Sequence, residues 1–135
     1  MRVRETVEVP RPQEEVFAAL TEPERRAQAL GWRRLERAGG AYEGVLSARA
    51  GAIAIDFDCR FSVEGEDRSR VRIKGTGASP RLAFAVDATF SLRGVDGRTT
   101  VELDADVGAA GELAGLGQRR LGEQARRLLA AYVAA

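Results

Sequence analysis

Ile53-Ala54-Ile55-Asp56-Phe57-Asp58-Cys59-Arg60-Phe61-Ser62-Val63 carries an apolar side chain at every odd position and nearly all of its charge at the even ones. Successive side chains of a strand point to opposite faces, so this alternation describes a strand with one face buried and the other in water. The pattern repeats downstream. Val71 and Ile73 alternate with Arg70, Arg72 and Lys74. Leu82, Phe84, Val86, Phe90 and Leu92 keep one parity, and Val101, Leu103, Ala105 and Val107 alternate with Glu102, Asp104 and Asp106. Breaks at Gly39-Gly40, near Gly51, at 65–67, at 77–80 and at Asp96-Gly97 divide the chain from Trp32 onward into six strands. Turns this tight make the strands antiparallel.

Upstream, Val3, Val7 and Val9 fall on odd positions of one more strand, which Pro10 and Pro12 end. Val16, Phe17 and Leu20 then follow at helical spacing, predicting a short helix over 13–20 with Pro12 in its first turn. Thr21-Glu22-Pro23-Glu24 has the form of a capping box and predicts a second short helix to about residue 30. From about 111 to 133, Leu113, Leu116, Leu121, Ala125, Leu128 and Tyr132 make one apolar stripe on a long helix, the one element long enough to cover the sheet. The expected fold is therefore a single α+β domain over residues 1–135. It comprises a seven-stranded curved antiparallel sheet around a long C-terminal helix, with two short helices after the first strand.

Composition narrows the function. Lys and Arg total 21 against 20 Asp and Glu, and a net charge of +1 offers no field to gather nucleic acid. Histidine is absent and Cys59 is the lone cysteine, which removes the commonest general base, intrachain disulfides and cysteine-based zinc sites. No segment approaches the roughly 20 apolar residues of a membrane span, and the N-terminus lacks the apolar run of a signal peptide. The expected location is the cytoplasm, with at most peripheral contact with the inner face of the membrane.

Strand, two short helices, six strands and a long helix is an order that resembles the helix-grip architecture of the START-like (SRPBCC) superfamily. Two stretches sharpen the likeness. Val7-Glu8-Val9-Pro10-Arg11-Pro12 is followed by Val16-Phe17 and Leu20, and Asp106-Val107-Gly108 by Gly111-Glu112-Leu113-Ala114-Gly115-Leu116-Gly117. Together they resemble the G-subunit family of carbon monoxide dehydrogenase over nearly the whole chain. The resemblance implies a carrier or adaptor that binds a quinone, lipid or similar apolar molecule in a cavity under the helix. It also implies a molybdenum-containing dehydrogenase of the carbon monoxide dehydrogenase type as partner, with no chemistry or cofactor of the chain's own. One departure lies at Leu30-Gly31-Trp32, where the family usually has a Pro-Gly pair after the second helix.

Candidate residues follow from face and position. Ile55, Phe57, Cys59, Phe84 and Val86 on the inner face, Trp32 at the mouth, and Leu113, Leu116, Gly117 and Leu121 on the helix are the expected cavity lining. Phe61 and Phe90 share that inner face. Cys59 has no basic neighbour in sequence to activate it and reads as inert. Gly111, Gly115 and Gly117 lack the Gly-Lys-Ser/Thr of a phosphate loop and read as close packing or pocket lining. Asp56, Asp58, Asp87, Asp104 and Asp106 share the opposite face with Arg60, Arg70, Arg72 and Lys74, a solvated charged surface rather than a metal site. Arg25, Arg26, Arg33 and Arg34 cluster in sequence around Trp32 as an expected docking patch for a membrane surface or partner. A non-catalytic binder is the leading reading. Its rivals are an interaction module with a filled core and a cyclase- or hydrolase-like enzyme, for which Tyr42, Thr89, Tyr132 and the few glutamates near the mouth are the candidate acid–base groups.

Overall fold

The alternation fixes which face of each strand is buried, and the strands pair as the turns require. The computed structural model describes residues 1–50 and 52–111. The elements are β1 (Arg2–Val9), α1 (Gln13–Thr21), a 3₁₀ turn (Pro23–Arg26), β2 (Trp32–Ala38), β3 (Ala41–Ala50), β4 (Ile53–Glu66), β5 (Arg70–Ala78), β6 (Ala83–Val95) and β7 (Arg98–Ala110). They form one antiparallel seven-stranded sheet in the order β1-β7-β6-β5-β4-β3-β2. The chain thus travels from one edge strand to the other through α1 and the 3₁₀ turn. Of the expected long helix over about 111–133, residues 112–133 lie outside the described residues.

The buried side chains gather into two clusters on the inner face. One joins Val3, Val71, Phe90, Val101 and Leu103 to Val16 and Leu20 of α1. The other joins Trp32, Tyr42, Phe57, Cys59, Phe61 and Leu82. Gln13 ties the start of α1 to two hairpins. Its amide nitrogen donates to the Arg68 carbonyl (2.7 Å), and its amide oxygen accepts from the Gly94 N–H (3.0 Å). Thr99 is fully buried and donates to the Arg11 carbonyl (2.8 Å), which anchors the β1–α1 connection.

The second short helix contracts to the 3₁₀ turn, and the capping box does not form. Thr21 is the last residue of α1, and its hydroxyl donates back to the Phe17 carbonyl (2.9 Å) instead of accepting from the next segment. The expected breaks at 65–67 and 77–80 also move. Gly65 pairs with Val71 and Gly77 with Phe84, so both glycines lie inside strands. Each has an aromatic ring where a Cβ would stand. A Cβ at Gly65 would lie 2.5 Å from Phe17 Cζ, and one at Gly77 would meet the ring of Phe84. The Asp96-Gly97 turn forms as expected, with both residues at positive φ (53° and 76°) between the paired Val95 and Arg98.

Gly31, at φ 90°, turns the chain into β2. The register of β2 against β3 then shifts between Trp32 and Arg34, so Arg33 is the extra residue of a bulge. Trp32 is consequently buried, Arg33 and Arg34 both stand exposed, and Leu35 is half-buried again. Gly44 makes room for this bulge. A Cβ there would collide with the Arg34 carbonyl oxygen and lie 3.1 Å from Trp32 Cε3. Because the first obstacle is backbone, Gly44→Ala should destabilise the protein by about 1–3 kcal/mol, the usual range for overpacking. Urea unfolding followed by the emission of the single tryptophan checks this.

Candidate functional site

The inner face of β5 carries Val71 and Ile73 and then Gly75 and Gly77, so its side chains vanish along the strand. Flanking rings settle beside the glycines. Phe61 pairs with Gly75 from β4, and Phe84 pairs with Gly77 from β6. Between them remains a cavity of about 140 Å³. Trp32 and Leu46 bound it from β2 and β3, Cys59 and Phe61 from β4, and Ile73, Gly75 and Thr76 from β5. Phe84, Val86, Ala88 and Phe90 bound it from β6. It lies at the seam of the two buried clusters, where neither fills the space between them.

Aromatic contacts fix its wall. The Trp32 and Phe61 rings stack with centroids 5.4 Å apart, and Tyr42 stacks on Phe61 at 5.2 Å. Phe57 meets Phe84 edge to face at 5.0 Å. The Tyr42 hydroxyl accepts from Arg37 (2.5 Å) and is hydrogen-bonded to Glu24, which Arg37 also faces at 3.4 Å. Burial, followed by the bond to Glu24, raises the Tyr42 pKa above its ordinary value. Burial opposes ionisation of Glu24, but the hydrogen bond to Tyr42 and the nearby Arg37 outweigh it and lower its pKa. The pair is therefore a neutral phenol beside a carboxylate at neutral pH.

Of the expected lining residues, Trp32, Cys59, Phe84 and Val86 bound the cavity. Phe57 stands behind Phe84, and Ile55 packs at the margin of the same cluster. Leu113, Leu116, Gly117 and Leu121 lie outside the described residues. Leu46, Ile73, Gly75, Thr76 and Ala88 also bound the cavity and are absent from the expected set. Gly75 could have been found from its shared parity with Val71 and Ile73.

The expected docking patch is dispersed among local partners. Trp32 is 8 % exposed and faces the interior, which removes it from any surface role. Arg25 pairs with Glu22 (3.0 Å), Arg26 donates to the Ala19 carbonyl (3.2 Å) and Arg33 pairs with Asp56 (2.6 Å). Arg34 is exposed.

The outer face holds a hollow of about 550 Å³ lined by both signs of charge, with Arg2, Arg72, Asp87 and Asp104 among its residues. Thr89 lines it too, so this hydroxyl belongs to the outer face and not to the cavity. Arg72 reaches both oxygens of Asp87 (3.0 and 2.8 Å), and Arg2 both of Asp104 (2.9 and 2.7 Å). These bonds hold both carboxyls below the ordinary range. Asp56 is lowered by hydrogen bonds from Ser47 and Arg33. Among the described residues, no group of Cys, Asp and Glu is placed to hold a metal ion, and no helix is long and apolar enough to cross a membrane.

A family model described as the carbon monoxide dehydrogenase G subunit (CoxG) matches residues 6–135. No curated protein matches the sequence. Among solved structures, the chain is similar to a conserved protein from Geobacillus kaustophilus, with a TM-score of 0.88 at 20% identity, covering 98% of this chain and 90% of that one. It is similar to the Zhui aromatase/cyclase from Streptomyces sp. R1128 at a TM-score of 0.71 and 16% identity, covering 98% and 88%. A protein from Thermus thermophilus gives 0.67 at 20% identity, covering 98% and 94%. At these identities the likeness establishes the START-like fold.

Desolvation pushes the Cys59 thiol up to about 11. At pH 8 the native protein should therefore react with a disulfide reagent roughly two orders of magnitude more slowly than the unfolded chain, whose thiol titrates near 8.5. Stopped-flow thiol titration with and without guanidinium measures the ratio. The depressed Asp87 contributes stability that is present above its unfolded value near 4 and is lost as pH falls through its lower folded value. Asp87→Asn should thus lose less stability between pH 6 and pH 2 than the parent, as read by urea titrations at the two pH values.

Proposed function

The chain belongs to the carbon monoxide dehydrogenase G-subunit (CoxG) family, and from that premise we propose that it binds one apolar small molecule in the inner cavity and carries it without transforming it. The observation that carries this reading is the cavity itself. No charged side chain lines it among the described residues, and the rings of Phe61 and Phe84, seated against the glycines of β5, form part of its apolar wall. Trp32, Cys59, Phe84 and Val86 are the proposed contacts, with Ile55 and Phe57 supporting them. Each 100 Å² of apolar surface such a ligand withdraws from water contributes roughly 2.5 kcal/mol, set against the cost of association.

A quinone or a lipid fits this description. The family's description names a carbon monoxide dehydrogenase, and the proposed partner is a molybdenum-containing dehydrogenase of that type. In this reading the chain moves an apolar molecule between that partner and a membrane surface, touching the membrane only peripherally.

Catalysis is the weaker reading. The Streptomyces relative in fold is an aromatase/cyclase by its description. Here the one hydroxyl at the aromatic stack, that of Tyr42, has a raised pKa and is held between Arg37 and Glu24, which leaves it poorly placed to move a proton at neutral pH.

The test is a thermal-shift titration with a quinone and with a phospholipid. One of them should raise the melting temperature, and the bound molecule should be recovered unchanged. Val86→Trp, which places an indole in the cavity, should weaken that ligand at least tenfold. A protein that responds to neither molecule is a filled-core interaction module instead.

A further inference from the structure

The two margins of the sheet are not alike. β2 is closed to further pairing by its bulge, but β1, at the other margin, runs from Arg2 to Val9 against β7 with no shift of register and no proline. Which of its backbone groups are spent on β7 follows from one pair. The Met1 amine donates to the Val107 carbonyl (2.8 Å), and the Val107 N–H donates to the Met1 carbonyl (2.7 Å). Hydrogen-bonded pairs of an antiparallel ladder recur at every second residue, so Val3, Glu5, Val7 and Val9 bond to β7. The N–H and C=O groups of Arg2, Arg4, Thr6 and Glu8 therefore point away from the sheet, and among the described residues no strand takes them.

The side chains at this edge select what pairs with it. A second copy of β1, antiparallel to the first, meets the edge in few registers that set outward-pointing residues opposite one another. Centred on Arg4, it opposes Arg4 to itself, and centred on Glu5 it opposes two half-buried carboxylates. Centred on Val7, it loses pairs to Pro10, which has no N–H. Centred on Thr6, it sets Arg4 opposite Glu8, Thr6 opposite Thr6 and Glu8 opposite Arg4 on the outer face, with Val3 opposite Val9 on the inner face. Glu5 then stands beside Val7 and keeps the partner it has in its own chain. Arg4 lies 3.9 Å from Asp104 and Glu8 3.4 Å from Arg98, so the new contacts extend both pairs into one row of alternating charge. Charges that repel most strands at this edge are complementary to their own copy.

We propose that β1 is a homodimer interface, two copies pairing antiparallel about Thr6 so that their sheets become continuous. One strand pair is small beside the interfaces of permanent dimers, so the dimer exchanges with monomer.

Sedimentation velocity over a concentration series tests this. The parent should pass from one chain mass to two, with half-association at about 1–100 µM, the range suited to a small transient interface. Thr6→Pro, which removes an outward N–H and no bond to β7, should raise that concentration at least tenfold. Arg4→Glu and Glu8→Arg should each do the same, and the two together should restore association. Thr6→Cys should oxidise to a disulfide-linked dimer, because residues of a hydrogen-bonded pair stand about 5.5 Å apart at Cα and the native Cys59 is buried. Arg2→Cys at the same edge should not, its two copies lying about 27 Å apart in this register. A parent that remains a single chain at about 1 mM overturns the proposal. A dimer that forms equally well in Thr6→Pro also overturns it, since another surface then makes the contact. Should Thr6→Pro not fold, the charge exchange decides, and a double exchange that associates no better than either single change overturns the register.

Discussion

On the inner face of β5 the side chains run out, Val71 and Ile73 giving way to Gly75 and Gly77, and the rest of the interior adjusts to that loss. A Cβ at Gly75 would meet Phe61 and lie 2.7 Å from the Arg60 carbonyl oxygen, while one at Gly77 would meet the ring of Phe84. The neighbouring strands therefore contribute rings where β5 contributes nothing, a familiar way for a sheet to protect a glycine. Two rings leaning toward a bare strand do not fill the space above it. The cavity is what remains, and the two buried clusters are its shores.

A second constraint acts at the opposite margin. β2 is an edge strand, and its one-residue bulge at Arg33 reverses the parity of the residues after it. Trp32 before the bulge and Leu35 after it are thus both turned inward, while the two arginines between them stand exposed. The bulge also twists a free edge, which discourages pairing with another chain. Fold and site are thus coupled. The device that protects the edge is the one that delivers the indole.

Much of this was legible in the sequence, and the misses have physical reasons. Parity identified the inner faces of β4, β6 and β7, because a half-buried strand has only two faces to choose between. It did not give depth, so Ile55 and Val86 looked equivalent although only Val86 reaches the cavity. Gly65 and Gly77 read as strand breaks. A glycine that ends a strand and one that lies under a ring look alike in sequence, and only the distant Phe17 and Phe84 distinguish them. The capping box failed for a related reason, since Thr21 ends α1 and its hydroxyl donates to the Phe17 carbonyl of its own helix. Sequence allowed Trp32 both in the cavity and at the surface, and the bulge that decides between them depends on Gly44, on the next strand. Leu113, Leu116, Gly117 and Leu121 rest on sequence alone.

The account's central claim is that the hollow beside β5 is a binding site and not a packing remnant. Native mass spectrometry of the protein purified from its own host, with its membrane lipids retained through extraction, tests this most directly. The account predicts one neutral apolar molecule per chain, released unchanged on denaturation. Recovery of a bare chain from lipid-rich extracts, with no mass added at any lipid concentration, would contradict it.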